Sequence, residues 1–118
     1  MESNMRKYQN FNTEGKKWKV VNFSHNKLSK VALDQLGLKE KDVVEMPAEL
    51  KKGMDAEEYV HSLVSKLEWS NSYLVVAPGL VLLAFLTARA LAELQMPVQL
   101  INLMRSRDEN VFYIADIY

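Results

Sequence analysis

Apolar residues along this chain arrive as short, valine-rich runs that alternate with longer stretches where they recur every third or fourth position. Short runs bounded by turn residues predict buried strands, and the wider spacing predicts helices. Trp18 to Phe23 is the first such run, set between a lysine pair and Ser24-His25-Asn26. Leu28, Val31, Ala32 and Leu36 then space as a helix, and Gly37 offers the left-handed residue that ends one. Asp42 to Met46, closed by Pro47, predicts a second strand. Asp55, with Glu58 three residues on, opens the next helix in the manner of a capping box. Its Ala56, Tyr59, Val60, Leu63, Val64 and Leu67 share one face, while Glu57, His61, Ser62 and Lys66 lie off it, which leaves His61 in solvent.

Ser72 to Ala77 predicts a third strand, which Pro78-Gly79 turns into a helix reaching about Gln95, with Pro97 as its stop. Val98 to Met104 and Val111 to Ile117 predict the last two strands. The polar segment Arg105 to Asn110 between them is short enough for an antiparallel hairpin. The order β-α-β-α-β-α-β-β predicts an α/β domain with an open, mostly parallel sheet, right-handed crossovers and a C-terminal antiparallel hairpin. The helix after Gly79 is apolar nearly all round, with Leu80, Leu82, Leu83, Phe85, Leu86 and Leu91 on several faces. Such a helix needs cover on every side, and in so small a domain a second copy of the chain would supply it.

Composition narrows this picture. The 118 residues suit one domain, read as residues 18–118, preceded by a polar arm over residues 1–17 that lacks the apolar core of a signal peptide. The 15 basic and 15 acidic residues balance, which argues against a protein that coats long nucleic acid, although a small anion needs only local positive potential. The absence of cysteine removes disulfides, thiolate metal sites and thiol nucleophiles, and is compatible with the cytoplasm. The apolar stretch Tyr73 to Leu94 is broken by Pro78-Gly79 and carries Arg89 and Glu93, so no membrane span of about 20 apolar residues is expected.

Candidate chemistry gathers where an open parallel sheet places its ligands, outside the carboxyl ends of its strands. The loop after the first strand holds Asn22, Ser24, His25, Asn26 and Lys27, which offer amide, hydroxyl, imidazole and ammonium groups to phosphate and ribose. Ser24 or Asn26 would serve equally as a cap for the following helix. Met46-Pro47 and Pro78-Gly79 belong to neighbouring loops of the same edge, and glycine lets a ligand approach the backbone closely; a plain strand-to-helix turn explains that pair as well. Arg105 and Arg107 could grip phosphates, or pair with Asp108 and Glu109 in a charged turn. Lys16, Lys17, Lys39, Lys41, Lys51 and Lys52 read as solvated surface. No glycine fingerprint for a dinucleotide, phosphate-binding loop, metal-ligand spacing or Gly-x-Ser-x-Gly elbow is present, so no cofactor or metal is expected.

Val20-Val21-Asn22-Phe23-Ser24-His25, Val44-Glu45-Met46-Pro47, Leu74-Val75-Val76-Ala77-Pro78-Gly79-Leu80 and Ala115-Asp116-Ile117 together resemble a family of small CRISPR-associated proteins, the ring-nuclease-like proteins of type III systems. The resemblance runs from about Trp18 onward, with Asn22-Phe23-Ser24-His25 as its distinctive motif. It implies a small Rossmann-like fold related to the CARF (CRISPR-associated Rossmann) domain. It further implies a homodimer, or a higher oligomer, that holds a cyclic oligoadenylate, most often cyclic tetra-adenylate, across its two-fold axis. Ring nucleases of this kind act without metal, by aligning a ribose 2′-hydroxyl with the adjacent phosphorus to leave a 2′,3′-cyclic phosphate. On that resemblance His25 is the candidate acid or base, with Ser24 and Lys27 also catalytic. Asn22, Phe23, Ser24, Asn26, Met46, Pro47, Pro78, Gly79, Arg105 and Arg107 would bind the ligand. The same clamp would serve a non-catalytic protein that sequesters the ring. A protein that only self-associates, without a nucleotide, is the third reading, carried by the helix after Gly79.

Overall fold

The computed structural model describes residues 19–67, 73–95, 98–108 and 111–118. Five strands form a single sheet: β1 (Lys19–Asn22), β2 (Val43–Glu45), β3 (Tyr73–Val76), β4 (Gln99–Arg105) and β5 (Phe112–Ile117). Three helices connect them: α1 (Lys30–Leu36), α2 (Ala56–Ser65) and α3 (Val81–Glu93). The strand order is β2-β1-β3-β4-β5, parallel throughout except for the antiparallel β4–β5 pair. The chain is therefore α/β with an open, mostly parallel sheet ending in an antiparallel hairpin, an arrangement compatible with a Rossmann-like fold. The expected arm over residues 1–17, the strand ends Trp18 and Ser72, and the stop at Pro97 lie outside the described residues.

The topology decides which helix covers which face. The chain steps one way from β1 to β2 and the other way from β2 to β3 and on to β4, so right-handed crossovers put α1 on one face and α2 and α3 on the other. Alternation along the strands supplies each face with its own core. Val20, Leu74 and Val76 pack with Ala32, Leu33 and Leu36 of α1 and with Ile101, Ile114 and Ile117. Val21, Phe23 and Val75 pack with Val60, Leu63 and Val64 of α2 and with Leu83, Ala90 and Leu91 of α3. An exposed ion pair between Arg89 and Glu57 links α3 to α2, and His61 is exposed as its helix position predicts.

Local signals account for the boundaries. α1 begins later than the apolar spacing suggests because Ser29 is its cap, its Oγ accepting from the Ala32 N–H at 3.1 Å. Ser24 and Asn26 are thereby released from the capping role. Gly37, at φ +69°, ends the helix and donates back into its last turn. Asp55 caps α2, accepting from the Glu58 N–H at 3.0 Å. Asp42, read from sequence as the start of a strand, instead closes a short 3-10 turn (Glu40–Asp42) by accepting the Lys39 N–H at 3.0 Å.

α1 also fastens the outer margin of the sheet. The Gln35 side chain accepts from the Ile114 N–H at 2.8 Å and donates to the Ile114 carbonyl at 3.1 Å. The Ser29 hydroxyl donates to the Phe112 carbonyl at 2.5 Å. On the opposite face α3 buries Leu83, Thr87, Ala90 and Leu91, while Leu80, Leu82, Val81 and Phe85 stay exposed, Val81 at 81% and Phe85 at 63%. No helix among the described residues is long and apolar enough to cross a membrane.

Candidate functional site

The turn leaving β1 is built on one side chain. Asn22 is wholly buried, yet both ends of its amide are fully used. Nδ2 donates to the Asn26 carbonyl at 2.8 Å and to Glu45 Oε2 at 3.1 Å. Oδ1 accepts from the Ser24 N–H at 3.0 Å and from the Ser24 hydroxyl at 2.6 Å. Only this orientation of the amide satisfies all four groups, since the reverse would set donor against donor at Ser24. Ser24 Oγ in turn accepts from the Asn26 N–H at 3.3 Å. Main-chain bonds extend the ladder one residue past the strand: Phe23 donates to the Val76 carbonyl and accepts from the Ala48 N–H, both at 2.9 Å. The turn is thus rigid before any ligand arrives.

His25 faces away from the α1 side. Its Nε2 lies 2.9 Å from the Ala48 carbonyl. A carbonyl only accepts, so Nε2 carries the proton and Nδ1 keeps its lone pair in the neutral ring. The contact ties the β1 turn to the segment after β2.

On the α1 face, the turn borders a crevice of about 310 Å3 at the carboxyl edge of β1, β3 and β4. The turn contributes Ser24, Asn26, Lys27 and Ser29; the strands contribute Val76, Ile101 and Leu103; Gly79 and, beside Ser29, Phe112 complete the lining. This is where strand order reverses, with β1 between β2 and β3, and where open α/β sheets receive ligands. Lys27 supplies the positive charge on the lining, so the crevice suits an anion joined to an apolar ring.

The remaining residues picked from sequence fall in several places. Asn22 and Phe23 have no exposed side-chain surface. Both were expected to contact a ligand; in this structure the Asn22 side chain shapes the turn and Phe23 fills the core beneath α2 and α3. Met46 packs against the same core, beside exposed Pro47. Pro78 is buried and lines a second, apolar groove of about 360 Å3 between α3 and β4, with Ala84, Ala88 and Leu100. Arg105 ends β4 paired with Phe112, and Arg107 lies in the turn beyond. Ser24, Asn26, Lys27 and Gly79 are therefore brought together, whereas His25, Met46, Pro47 and Pro78 are not part of that lining.

The chain matches no family model, no curated protein and no solved structure. Among the described residues no three His, Asp or Glu side chains come together as a metal-binding group. Besides apolar lining residues, one hydroxyl and one aromatic side chain of the crevice escaped the sequence reading, Ser29 and Phe112. Ser29 could have been found as a cap three residues before Ala32. Phe112 becomes visible only once an antiparallel last strand is seen to begin at the edge where the parallel strands end.

Proposed function

We propose that this protein is a small CARF-like member of type III CRISPR defence that binds a cyclic oligoadenylate, cyclic tetra-adenylate first among them, and damps signalling by removing the messenger. The supporting observation is the crevice at the switch point, which brings hydroxyls, an amide and an ammonium together with an apolar strand surface and an aromatic side chain. A space of about 310 Å3 suits one nucleotide unit, so a ring of four requires a second crevice. The exposed Leu80, Val81, Leu82 and Phe85 follow Gly79 directly at the crevice rim and give a second copy an apolar surface to cover. A two-fold dimer built there would present two crevices to one two-fold ring. Phe85→Glu is accordingly expected to convert a dimer to a monomer in sedimentation equilibrium and to weaken ring binding at least tenfold, while the monomer keeps the far-UV circular dichroism of the wild type and loses the concentration dependence of its thermal midpoint. A wild-type protein that sediments as a monomer with the ring bound would sink the dimer.

Removal can proceed by cutting or by holding. Cutting forms a bond from the ribose 2′-oxygen to phosphorus, breaks the P–O5′ bond, and passes the 2′-hydroxyl proton to a base and then to the leaving oxygen. His25 is the residue the sequence nominates, and its Nδ1 is the ring nitrogen not held by Ala48. Holding is favoured by one observation: the His25 ring is committed to Ala48 outside the crevice lining, and the Ser24 hydroxyl to Asn22. The deciding experiment mixes the protein with cyclic tri-, tetra- and hexa-adenylate in EDTA and follows binding and products by chromatography. Linear products ending in 2′,3′-cyclic phosphate establish a ring nuclease, in which His25→Ala is expected to lower cleavage about a hundredfold or more with affinity nearly unchanged. Ring recovered intact from a tight complex establishes a messenger sink, and no binding to any ring removes the proposal.

A further inference from the structure

Phe112 stands out among the crevice residues because it is an aromatic side chain left 41% exposed at the rim of a polar site. Its backbone is held, since the Ser29 hydroxyl donates to its carbonyl while also capping α1. Ser29 lines the same crevice, so the turn that leads into α1 and the strand that carries the ring are fixed to each other. Arg105 is its partner across the β4–β5 pair. Two residues beyond Leu103, Arg105 shares the crevice face of β4. An aromatic side chain at the Ser29 end of the lining, with Ser24, Asn26 and Lys27 along the rest of the turn and an apolar strand surface beneath, supplies what a nucleotide needs: a stacking face for the base and polar groups for sugar and phosphate.

We infer that Phe112 is the base platform of the crevice, on which one purine stacks while Ser24, Asn26 and Lys27 face its ribose and phosphate. This rests on the proposed nucleotide function and deepens it, because it makes base recognition a property of each single crevice, present before any ring is closed. Stacking on an aromatic side chain is tolerant of sequence and stronger for purines, which have the larger π-face. Phosphate contacts alone give no such preference.

Calorimetry with adenosine 5′-monophosphate, ribose 5-phosphate and cyclic tetra-adenylate tests the platform and the messenger reading separately. The wild-type protein is expected to prefer the nucleotide over the bare sugar phosphate. Phe112→Ala and Phe112→Leu are expected to weaken nucleotide and ring binding roughly tenfold to a hundredfold while leaving ribose 5-phosphate unaffected. Phe112→Leu keeps the apolar bulk, so it guards against a loss caused by unfolding, and matched thermal transitions check both variants. Phe112→Trp is expected to restore binding and to show fluorescence quenched by the nucleotide beyond the change seen in wild type. Ring binding that survives Phe112→Leu overturns the platform and leaves the messenger reading standing. A Phe112-dependent preference for the nucleotide without ring binding does the reverse. Equal or absent binding of nucleotide and sugar phosphate by the wild type also overturns the platform.

Discussion

Replacing Phe23 by alanine is expected to remove about 3–5 kcal/mol of folding stability, the usual cost of emptying a fully packed aromatic site. The ring has no exposed surface and touches the core shared by α2 and α3, so neither helix can close the gap without leaving the other. A domain of this size has on the order of 5–15 kcal/mol in total, so Phe23→Ala would lie near the limit of folding at room temperature. Urea denaturation should show the midpoint falling with little change in slope. Phe23→Leu, which retains most of the volume, should recover a large part of the loss. The same measurement separates the two roles this residue could hold: a ligand contact would leave the midpoint almost unmoved and lower affinity instead.

Asn22→Ala should cost nearly as much for a different reason. It creates little empty space, but it removes at once the acceptor of the Ser24 N–H and hydroxyl and a donor to the Asn26 carbonyl and to the exposed Glu45 carboxylate, the Ser24 hydroxyl remaining within reach of that carbonyl. Each polar group left unsatisfied and shielded from water costs about 1–3 kcal/mol, and part is recovered where water can enter the turn. A loss of about 3 kcal/mol is expected, and in a chain of this length that lowers the thermal midpoint by roughly 10 °C or more. Asn22→Asp should be worse at neutral pH despite its nearly identical shape. It removes both donors and sets a second carboxylate where Glu45 Oε2 lies 3.1 Å from the amide nitrogen. An aspartate variant as stable as wild type would mean that the amide network does not organise the turn. Since Ser24 and Asn26 reach the crevice from that turn, either substitution should also weaken nucleotide binding in whatever fraction stays folded.

These two residues also show what could be read from the chain beforehand. The strands and helices were legible because valine-rich runs and helical spacing are dictated by burial; the order of strands in the sheet was not, although once it is known crossovers of one hand decide which helix covers which face. The role of Phe23 was legible too: it sits two residues after Val21 and must share its face, which is the core face under α2 and α3. Its place in a polar motif drew attention to the ligand edge and away from that alternation. Asn22 is harder, because its partners Asn26 and Glu45 come from different segments and meet only when β2 lies beside β1 in register, Asn22 opposite Glu45. Ser29 was masked by Leu28, whose apolar side chain fits the helical pattern although the helix begins after it. The direction of His25 could not be read at all, since its carbonyl partner at Ala48 belongs to a loop whose path no local signal specifies.

The fastening of α1 to β5 bears on how copies of the protein could join. An edge strand ordinarily offers a free ladder that a neighbouring chain can continue, the route to shared sheets and to fibres. Here the outward N–H and carbonyl of Ile114 are already occupied by Gln35, and the Phe112 carbonyl by Ser29. A visiting strand would have to displace three bonds and lift a helix before gaining any. The hairpin margin is thereby closed to growth, and association on that side is directed to side-chain surfaces that make discrete, countable assemblies instead of open-ended ones.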